Sequence, residues 1–457
     1  MFNREQLTTG RLLLFVLLAW FYVEAASMHA ATVNLSKARG DQSGYLWDAE
    51  RVYANWHGDP GHLIGQRMRM PAYAAVLAFF YSPHLSAEQF FDVARRVNIW
   101  LSLVLLIVIG FVVERWLPPL IATNLLLVIA FGYFVFKAGY CQPELLSYGL
   151  LFLTFLAACV LLDRGVPGQR DVLLAAALGA LAGATQMTKA VMPPFLALFA
   201  VLFVGQATLD RVRDAHAGQA ARAFMRRLMA IALVGGGFLA IVSPYILHSR
   251  RTFGSYFYNA NTAIFMWYDD GVTARAILMP HMDAEGRIAA PASALPDARS
   301  YWRTHTIRQV VERVGDGLRD IAVGSLRGYG FLKYAVWYAL MAAAVILANR
   351  RAFARLLVEH AALSLFVVGY AVIYLTSTAF FSITSSTGDM RFFLAHVAPF
   401  FFTVSWLLAR PPFRETRWSV GRARLSVLHL QLATSALIAV DLAFWLWPRL
   451  MTTYAGF

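Results

Sequence analysis

The sequence predicts an all-α fold, a polytopic transmembrane helical bundle, and three observations carry that reading. Of 457 residues, 59% are hydrophobic and only 14% are charged, where soluble domains average about a quarter charged. The mean hydropathy is +0.55. Apolar stretches of spanning length also recur along the whole chain rather than in one block. The disordered and collagen-like classes are excluded, because they need low apolar content or periodic glycine. A formal net charge of +14 would point a soluble protein toward nucleic acid. In a membrane chain the question becomes where the positives sit relative to the spans.

A spanning helix needs about 20 mostly apolar residues, and about eleven stretches qualify. They are 11–30, 97–113, 118–136, 143–162, 172–187, 190–206, 229–248, 333–349, 358–378, 391–409 and 425–447. The short run at 71–81 is a candidate twelfth span or a re-entrant piece. Within the first stretch, Leu12 to Val23 is short enough for a signal-peptide core and is followed by small residues at Ala25, Ala26 and Ala30; it is read here as an uncleaved anchor. Within the fifth, Ala175, Gly179 and Gly183 share one face and predict close helix packing. Cys141 and Cys159 make no disulfide framework, and helical spacing between them puts a bridge out of reach.

Placing the N-terminus inside puts the segments 163–171, 207–228, 350–356 and 410–424 in the cytoplasm. They carry Arg164, Arg170, Arg211, Arg213, Arg222, Arg226, Arg227, Arg350, Arg351, Arg355, Arg410, Arg414, Arg417, Arg422 and Arg424. The short turns on the other side carry single positives near Lys137, Lys189 and Arg391. This is the positive-inside pattern. It predicts the orientation of an integral membrane protein, with the long segments 31–96 and 249–332 exported. Most of the basic excess then sets orientation, and no nucleic-acid partner is expected.

The first exported loop, 31–71, is the most informative part of the chain. Its core reads Gly40-Asp41-Gln42-Ser43-Gly44-Tyr45-Leu46-Trp47-Asp48-Ala49-Glu50-Arg51-Val52-Tyr53. Tyr45, Trp47, Val52, Tyr53 and Trp56 are expected to form the membrane-facing side of a short surface helix, with Ser43 helping to start it. That geometry holds Asp41 at the lip of an outward cavity. Arg67 and Arg69 follow, just before Pro71, which suits a first helical position. Guanidinium groups at headgroup depth grip phosphate bidentately.

An aspartate in a G-D-x-x-x-Y-x-x-A context after the first span, a basic residue and a proline later in the same loop, and many spans thereafter resemble the GT-C superfamily of membrane glycosyltransferases. That group includes the protein O-mannosyltransferases and the bacterial enzymes that place aminoarabinose, galacturonate or arabinose on envelope lipids and glycans. The resemblance runs loosely over most of the chain. Tyr140-Cys141-Gln142-Pro143-Glu144 resembles the family's second exported loop, Thr188-Lys189-Ala190 its T-K-G turn, and Asp389-Met390-Arg391-Phe392-Phe393 its R-Y turn. The chain departs from the pattern at Gln42, where the mannosyltransferases usually carry glutamate, at Ala190 and at Phe392.

The resemblance implies one GT-C-like transmembrane domain over 1–457, with 31–71 as its catalytic loop. It implies an inverting transferase that moves a sugar from a polyprenyl-phosphate donor to an acceptor hydroxyl on a glycan, lipid or protein. One positioned carboxylate suffices as base for the attacking hydroxyl, and Asp41 is the candidate; the alternative is a helix cap or a loop ion pair. The lipid-phosphate leaving group needs fixed cations, for which Arg67, Arg69, Lys189 and Arg391 are available; the alternative is interfacial snorkelling. Tyr45, Gln142 and Glu144 are candidates for positioning donor or acceptor. The sequence assigns no cofactor. A divalent metal shared by Asp41 and Glu144 is a candidate, although no dense carboxylate or histidine cluster accompanies them.

Two further features are weighed. Asp269-Asp270-Gly271 has the form of a metal-binding acidic pair but reads better as a turn. Ile307, Val310, Val311, Val314, Leu318 and Ile321 recur at helical spacing and predict an amphipathic helix on the membrane or over the cavity. Two other functions fit many spans and basic cavity residues: a transporter or flippase of a lipid-linked sugar, and a glycan polymerase or ligase. The first should show paired, interrupted helices in two halves, and no such symmetry is visible. The second does not require the Asp41 loop.

Overall fold

The computed structural model describes residues 9–59, 69–164, 169–213, 217–282, 295–382, 390–420 and 423–452. Among these residues the chain is a helical bundle with one two-stranded hairpin. The N-terminal half comprises α1 (Thr9–Thr32), α2 (Gln42–Trp56), α3 (Pro71–Ala78), α4 (Ala87–Val113), α5 (Pro119–Ile129), a π-helical turn (Ala130–Phe134), α6 (Val135–Lys137), α7 (Glu144–Arg164), α8 (Gln169–Thr188), α9 (Met192–Arg213) and α10 (Ala217–Phe253). Then come the short α11 (Ala260–Ala263), α12 (Gly271–Leu278) and α13 (Ala298–Thr304), the long α14 (Ile307–Arg327), α15 (Phe331–Ala348), α16 (Arg350–Glu359), α17 (Ala361–Ser382), α18 (Met390–Leu394) and α19 (Val397–Ala409). The hairpin β1 (Arg417–Val420) and β2 (Ala423–Ser426) precedes α20 (Val427–Val440) and α21 (Leu446–Leu450).

Ten helical stretches among the described residues are long and apolar enough to cross a membrane, so the chain is an integral membrane protein. The expected span at 190–206 falls short of the others. Its apolar part is Met192–Gln206, because Asp210, Arg211 and Arg213 occupy the last turns of α9. The run at 71–81 is not a span. It is the 8-residue α3, about 12 Å long against a hydrocarbon core of about 30 Å. The helix expected from 97 begins instead at Ala87, where Ser86 and Gln89 form a capping box. The hairpin was not anticipated; it pairs Trp418 with Leu425 and Ser419 with Arg424.

Close packing follows the small residues. A Cβ on Gly179 would fall 2.1 Å from the Val234 carbonyl oxygen, and one on Gly237 2.6 Å from that of Ala176. Backbone therefore meets backbone where α8 crosses α10, with Ala175 and Ala182 buried on the same face. This is the contact that the Ala175, Gly179, Gly183 spacing calls for.

A second apolar core lies beside the main one. It joins Tyr45, Leu46, Ala49 and Val52 of α2 to Tyr73, Ala74 and Leu77 of α3 and to Phe90 and Phe91 of α4. The expected membrane face of α2 is thereby corrected. Tyr45 and Val52 point into protein, while Trp47 and Trp56 stay exposed. The cause is α3, which covers that side of the helix.

The segment 249–332 folds over the bundle through α11 to α14. Asp270 caps α12, its Oδ1 accepting from the Thr273 N–H at 2.7 Å, so the acidic pair starts a helix. Asp269 meets His305 at 3.1 Å and Arg313 at 3.8 Å. The expected apolar stripe of α14 is split. The buried positions are Arg313, Gly317, Ile321 and Ser325, whereas Ile307, Val311 and Leu318 are exposed. A Cβ on Gly317 would fall 1.9 Å from the Ala379 carbonyl oxygen, so α14 touches α17 through glycine. Arg313 locks this contact by donating to the carbonyls of Phe380 at 3.0 Å and Met266 at 2.9 Å.

Gly317→Val is expected to push α14 off α17 and to cost about 2 kcal/mol as overpacking. Thermal unfolding of the detergent-solubilised chain would register this as a lowered Tm, and an unchanged Tm would contradict the contact.

Candidate functional site

The site is built where the chain leaves α1 and enters α2. Gly40 has a φ of +64°, the left-handed region that glycine occupies without steric cost. A Cβ there would also fall 2.8 Å from the Gln142 amide nitrogen. The tight turn delivers Asp41 to the N-cap position of α2, yet its side chain makes no capping hydrogen bond. Its carboxylate turns outward, half-exposed, to Arg391 Nη1 at 3.0 Å. The expected ion-pair alternative for Asp41 is thus realised, with a partner 350 residues away in sequence.

The neighbour of Asp41 has a structural role of its own. Gln42 is fully buried. Its Nε2 donates to Asn34 Oδ1 at 2.8 Å and to the Arg39 carbonyl at 3.0 Å. Its Oε1 accepts from Asn34 Nδ2 at 2.8 Å and from the Cys141 N–H at 2.9 Å. Two acceptors need a donor here, which a carboxylate does not supply. Gln42 is therefore the rivet that ties the Asp41 turn to the loop before α7.

Three more charged side chains converge on Arg391 and Asp41. Glu144, the first residue of α7, is buried, with Oε1 at 3.9 Å from Arg391 Nη1 and 3.1 Å from Lys189 Nζ. Lys189 sits in the turn between α8 and α9, and its ammonium lies 4.4 Å from the Phe392 ring centroid. Arg391 is held by α18, and its carbonyl accepts from the Tyr148 hydroxyl at 2.5 Å. Lys137, at the end of α6, is buried and lies 3.5 Å from Gln142 Oε1. Asn98 of α4 fixes this turn by donating to the carbonyls of Ala138 at 3.0 Å and Tyr140 at 2.7 Å.

Arg69 takes a different place from the one expected. Its Nε donates to Asp48 Oδ2 at 2.7 Å, and its guanidinium lies 5.6 Å from the centre of the Tyr45 ring. A Cβ on Gly44 would collide with that guanidinium at 2.6 Å, so the second glycine of the loop makes room for it. Burial works against the charge of Arg69, but the hydrogen bond and charge of Asp48 carry its pKa above the ordinary value. Arg69 is thus already committed to a buried carboxylate. Burial, with the Glu144 and Asp41 charges, pushes the Tyr45 hydroxyl well above its usual pKa, leaving it a proton donor. Arg67 lies outside the described residues.

Comparison with protein-family models, with curated proteins and with solved structures finds no match to this chain. The chemistry of the site rests on its own geometry. Asp41, Glu144, Lys189 and Arg391 of the candidate set come together. Gln142 meets Lys137, Tyr45 lies within reach of the Asp41, Glu144 and Arg391 charges, and Arg69 pairs with Asp48 while still feeling the Asp41 charge. Among the described residues no group of three or more His, Cys, Asp or Glu side chains is placed to hold a metal ion. Between the two carboxylates proposed to share a metal stands the guanidinium of Arg391.

Sequence reasoning passed over three residues of this site. Lys137 was counted only as a topology signal, Gln42 only as a departure, and Asp48 not at all. The signals were faint: a lysine at the end of an otherwise apolar span, and an acid seven positions after Asp41 on the same helix. Around Arg391, the cations Lys137, Lys189 and Arg391 outnumber the carboxylates Asp41 and Glu144 by one.

Gln42→Glu is expected to leave the Asn34 Oδ1 and Arg39 carbonyl acceptors without a donor, at a cost of about 3 kcal/mol, seen as a lowered Tm at neutral pH. Asp48→Ala should strand Arg69 and cost about 3 kcal/mol. Asp48→Ala with Arg69→Met should recover most of that loss, and a double variant no more stable than the single would refute the pairing.

Proposed function

We propose that the chain is an inverting membrane glycosyltransferase that takes a sugar from a polyprenyl-phosphate donor and transfers it to an acceptor hydroxyl. The observation that carries this reading is the convergence of a half-exposed carboxylate, Asp41, with two cations beside it, Arg391 and Lys189, at one end of the bundle. A phosphodiester donor brings one negative charge, which complements the single positive excess around Arg391. Asp41, Lys189 and Arg391 also stand in the three motifs that resemble those of the GT-C superfamily, from which the chain departs at Gln42, Ala190 and Phe392.

The chemistry divides between these groups. The acceptor oxygen attacks the anomeric carbon while its proton passes to an Asp41 carboxylate oxygen. The bond from the anomeric carbon to the phosphate oxygen breaks, and its electron pair leaves on the polyprenyl phosphate. That group gains a second negative charge, which Arg391 and Lys189 stabilise. A single displacement inverts the anomeric configuration. Glu144 holds both cations in place, and the protonated Tyr45 hydroxyl is a neutral donor within reach of these charges.

The resting ion pair gives this mechanism a gate. Asp41 is engaged by Arg391 at 3.0 Å, so the base is occupied until a phosphate arrives. The incoming phosphate competes for the guanidinium and releases Asp41 to the acceptor hydroxyl. Donor binding thus precedes activation of the base. The positive-inside distribution supports a cytoplasmic N-terminus and a site on the exported face, and the resemblance supports the bacterial inner membrane as its location.

Purified protein is expected to transfer sugar from a synthetic polyprenyl-phosphate donor. Asp41→Asn should lower kcat by about 10²–10⁴-fold while donor binding is retained, and Arg391→Ala should weaken donor binding as well as turnover. Full turnover by a folded Asp41→Asn variant would remove Asp41 from the role of base.

A further inference from the structure

The end of the bundle remote from Arg391 carries a feature that the proposed reaction does not use. A cavity of about 280 Å³ lies between α7, α15, α16, α17 and α19, with Phe155, Cys159, Ile346, Leu356, Val367 and Trp406 in its wall. α7 runs from Glu144 at the candidate site to Arg164 over 21 residues, roughly 30 Å, and the cavity lies toward the Arg164 end. Its rim includes Trp116, Leu357 and Val368, all exposed, so it opens on the outer surface of the bundle. α7, α15, α17 and the Met390–Ala409 stretch that contains α19 are long and apolar enough to cross a membrane, so the mouth between them faces lipid.

The polar end of the cavity is charged. Asp163 and His360 line it and pair at 2.7 Å. Arg410 reaches Asp163 at 3.5 Å and His360 Nε2 at 3.1 Å, with its guanidinium 3.8 Å from the Trp406 ring centre. α16, 10 residues long and without a buried residue, lays Phe353, Leu356 and Leu357 along the cavity. Its Arg350, Arg351 and Arg355 are exposed. This is the composition of a helix lying in the interface, apolar side inward and basic side at headgroup depth. Four arginines against Asp163 and Glu359 leave the mouth positive.

We propose that this cavity holds one acyl chain of an anionic phospholipid from the adjacent leaflet, with its phosphate met by Arg410 and the arginines of α16. An apolar recess open to lipid receives a hydrocarbon chain. The ring of cations selects a negative headgroup, since basic residues near a membrane surface are each worth about fivefold in binding to anionic lipid. The recess is too small for a helix, whose diameter is about 10 Å. The site is independent of the transferase reading and stands whatever reaction the other end performs.

The test uses the full chain in nanodiscs that contain a phospholipid with a photoactivatable diazirine at the acyl terminus. With the diazirine on phosphatidylglycerol, cross-links should concentrate in 155–163, 342–368 and 402–410. Moving the diazirine to phosphatidylcholine should lower their yield about fivefold. Val367→Trp, which fills the recess, should abolish cross-links there and leave those elsewhere unchanged. Cross-links spread evenly over the outer surface of the bundle, or equal yields for the two headgroups, would overturn the proposal. So would labelling that vanishes when the protein dimerises, which would assign the recess to a second copy. The headgroup comparison needs no variant, so a misfolded Val367→Trp leaves the outcome decided.

Discussion

Arg391 held between Asp41 and Glu144 is the contact on which the architecture of this end of the bundle depends. A charge at the edge of a hydrocarbon layer is tolerated only with a partner. Here the partners come from α2, α7, α18 and the turn after α8, segments spread from residue 41 to residue 391. Each segment is fixed by what it must bring to the cluster. Gly40 bends the chain so that Asp41 can face Arg391, Gln42 pins that bend to the Cys141 backbone, and Tyr148 holds Arg391 through its carbonyl. Removing any one charge leaves another in a medium that solvates it poorly.

Pairing alone does not mark a functional site, and the chain contains a control. Asp441 lies in the last span and is bonded by Lys333, by the Tyr334 hydroxyl at 2.9 Å and by Arg449 at 2.6 Å. Its side chain is 3% exposed. It is surrounded by donors and has no access for a reactant, which is what a structural anchor between helices needs. Asp41 is 52% exposed while its partner Arg391 is 18% exposed. A carboxylate open to the outside and backed by recessed cations can exchange partners, which is the property that the proposed mechanism uses.

The bundle was legible in the sequence because hydropathy is a local property. Windows of about 20 apolar residues announce spans whatever their neighbours do, and the small face of α8 announced its crossing with α10. The departures come where tertiary partners decide. The aromatic stripe of α2 read as a membrane face, but α3 covers Tyr45 and Val52. The stripe of α14 was read from its apolar residues, yet the contact with α17 is made by Gly317 and Arg313, which apolar periodicity does not register. Within the site, Asp41, Glu144, Lys189 and Arg391 were found because they are charges beside spans. Asp48 and Gln42 were not, because their roles exist only once Arg69 and Asn34 are folded against them.

The acidic members of the cluster also bear on selectivity. A site of three cations without carboxylates would hold any phospholipid phosphate in the surrounding leaflet, and bulk lipid vastly outnumbers a polyprenyl donor. Asp41 and Glu144 raise the threshold, since a phosphate must displace Asp41 from Arg391 before it gains the guanidinium. A ligand pays that cost only if it brings further contacts, such as those of a sugar and a long prenyl chain. At the opposite end Asp163 engages Arg410, at 3.5 Å, while Arg350, Arg351 and Arg355 are exposed on α16, an arrangement that suits the anionic lipid proposed for that cavity. The two ends thus differ in how many of their cations are already engaged by carboxylates: Arg391 and Lys189 at one, Arg410 beside the exposed arginines of α16 at the other.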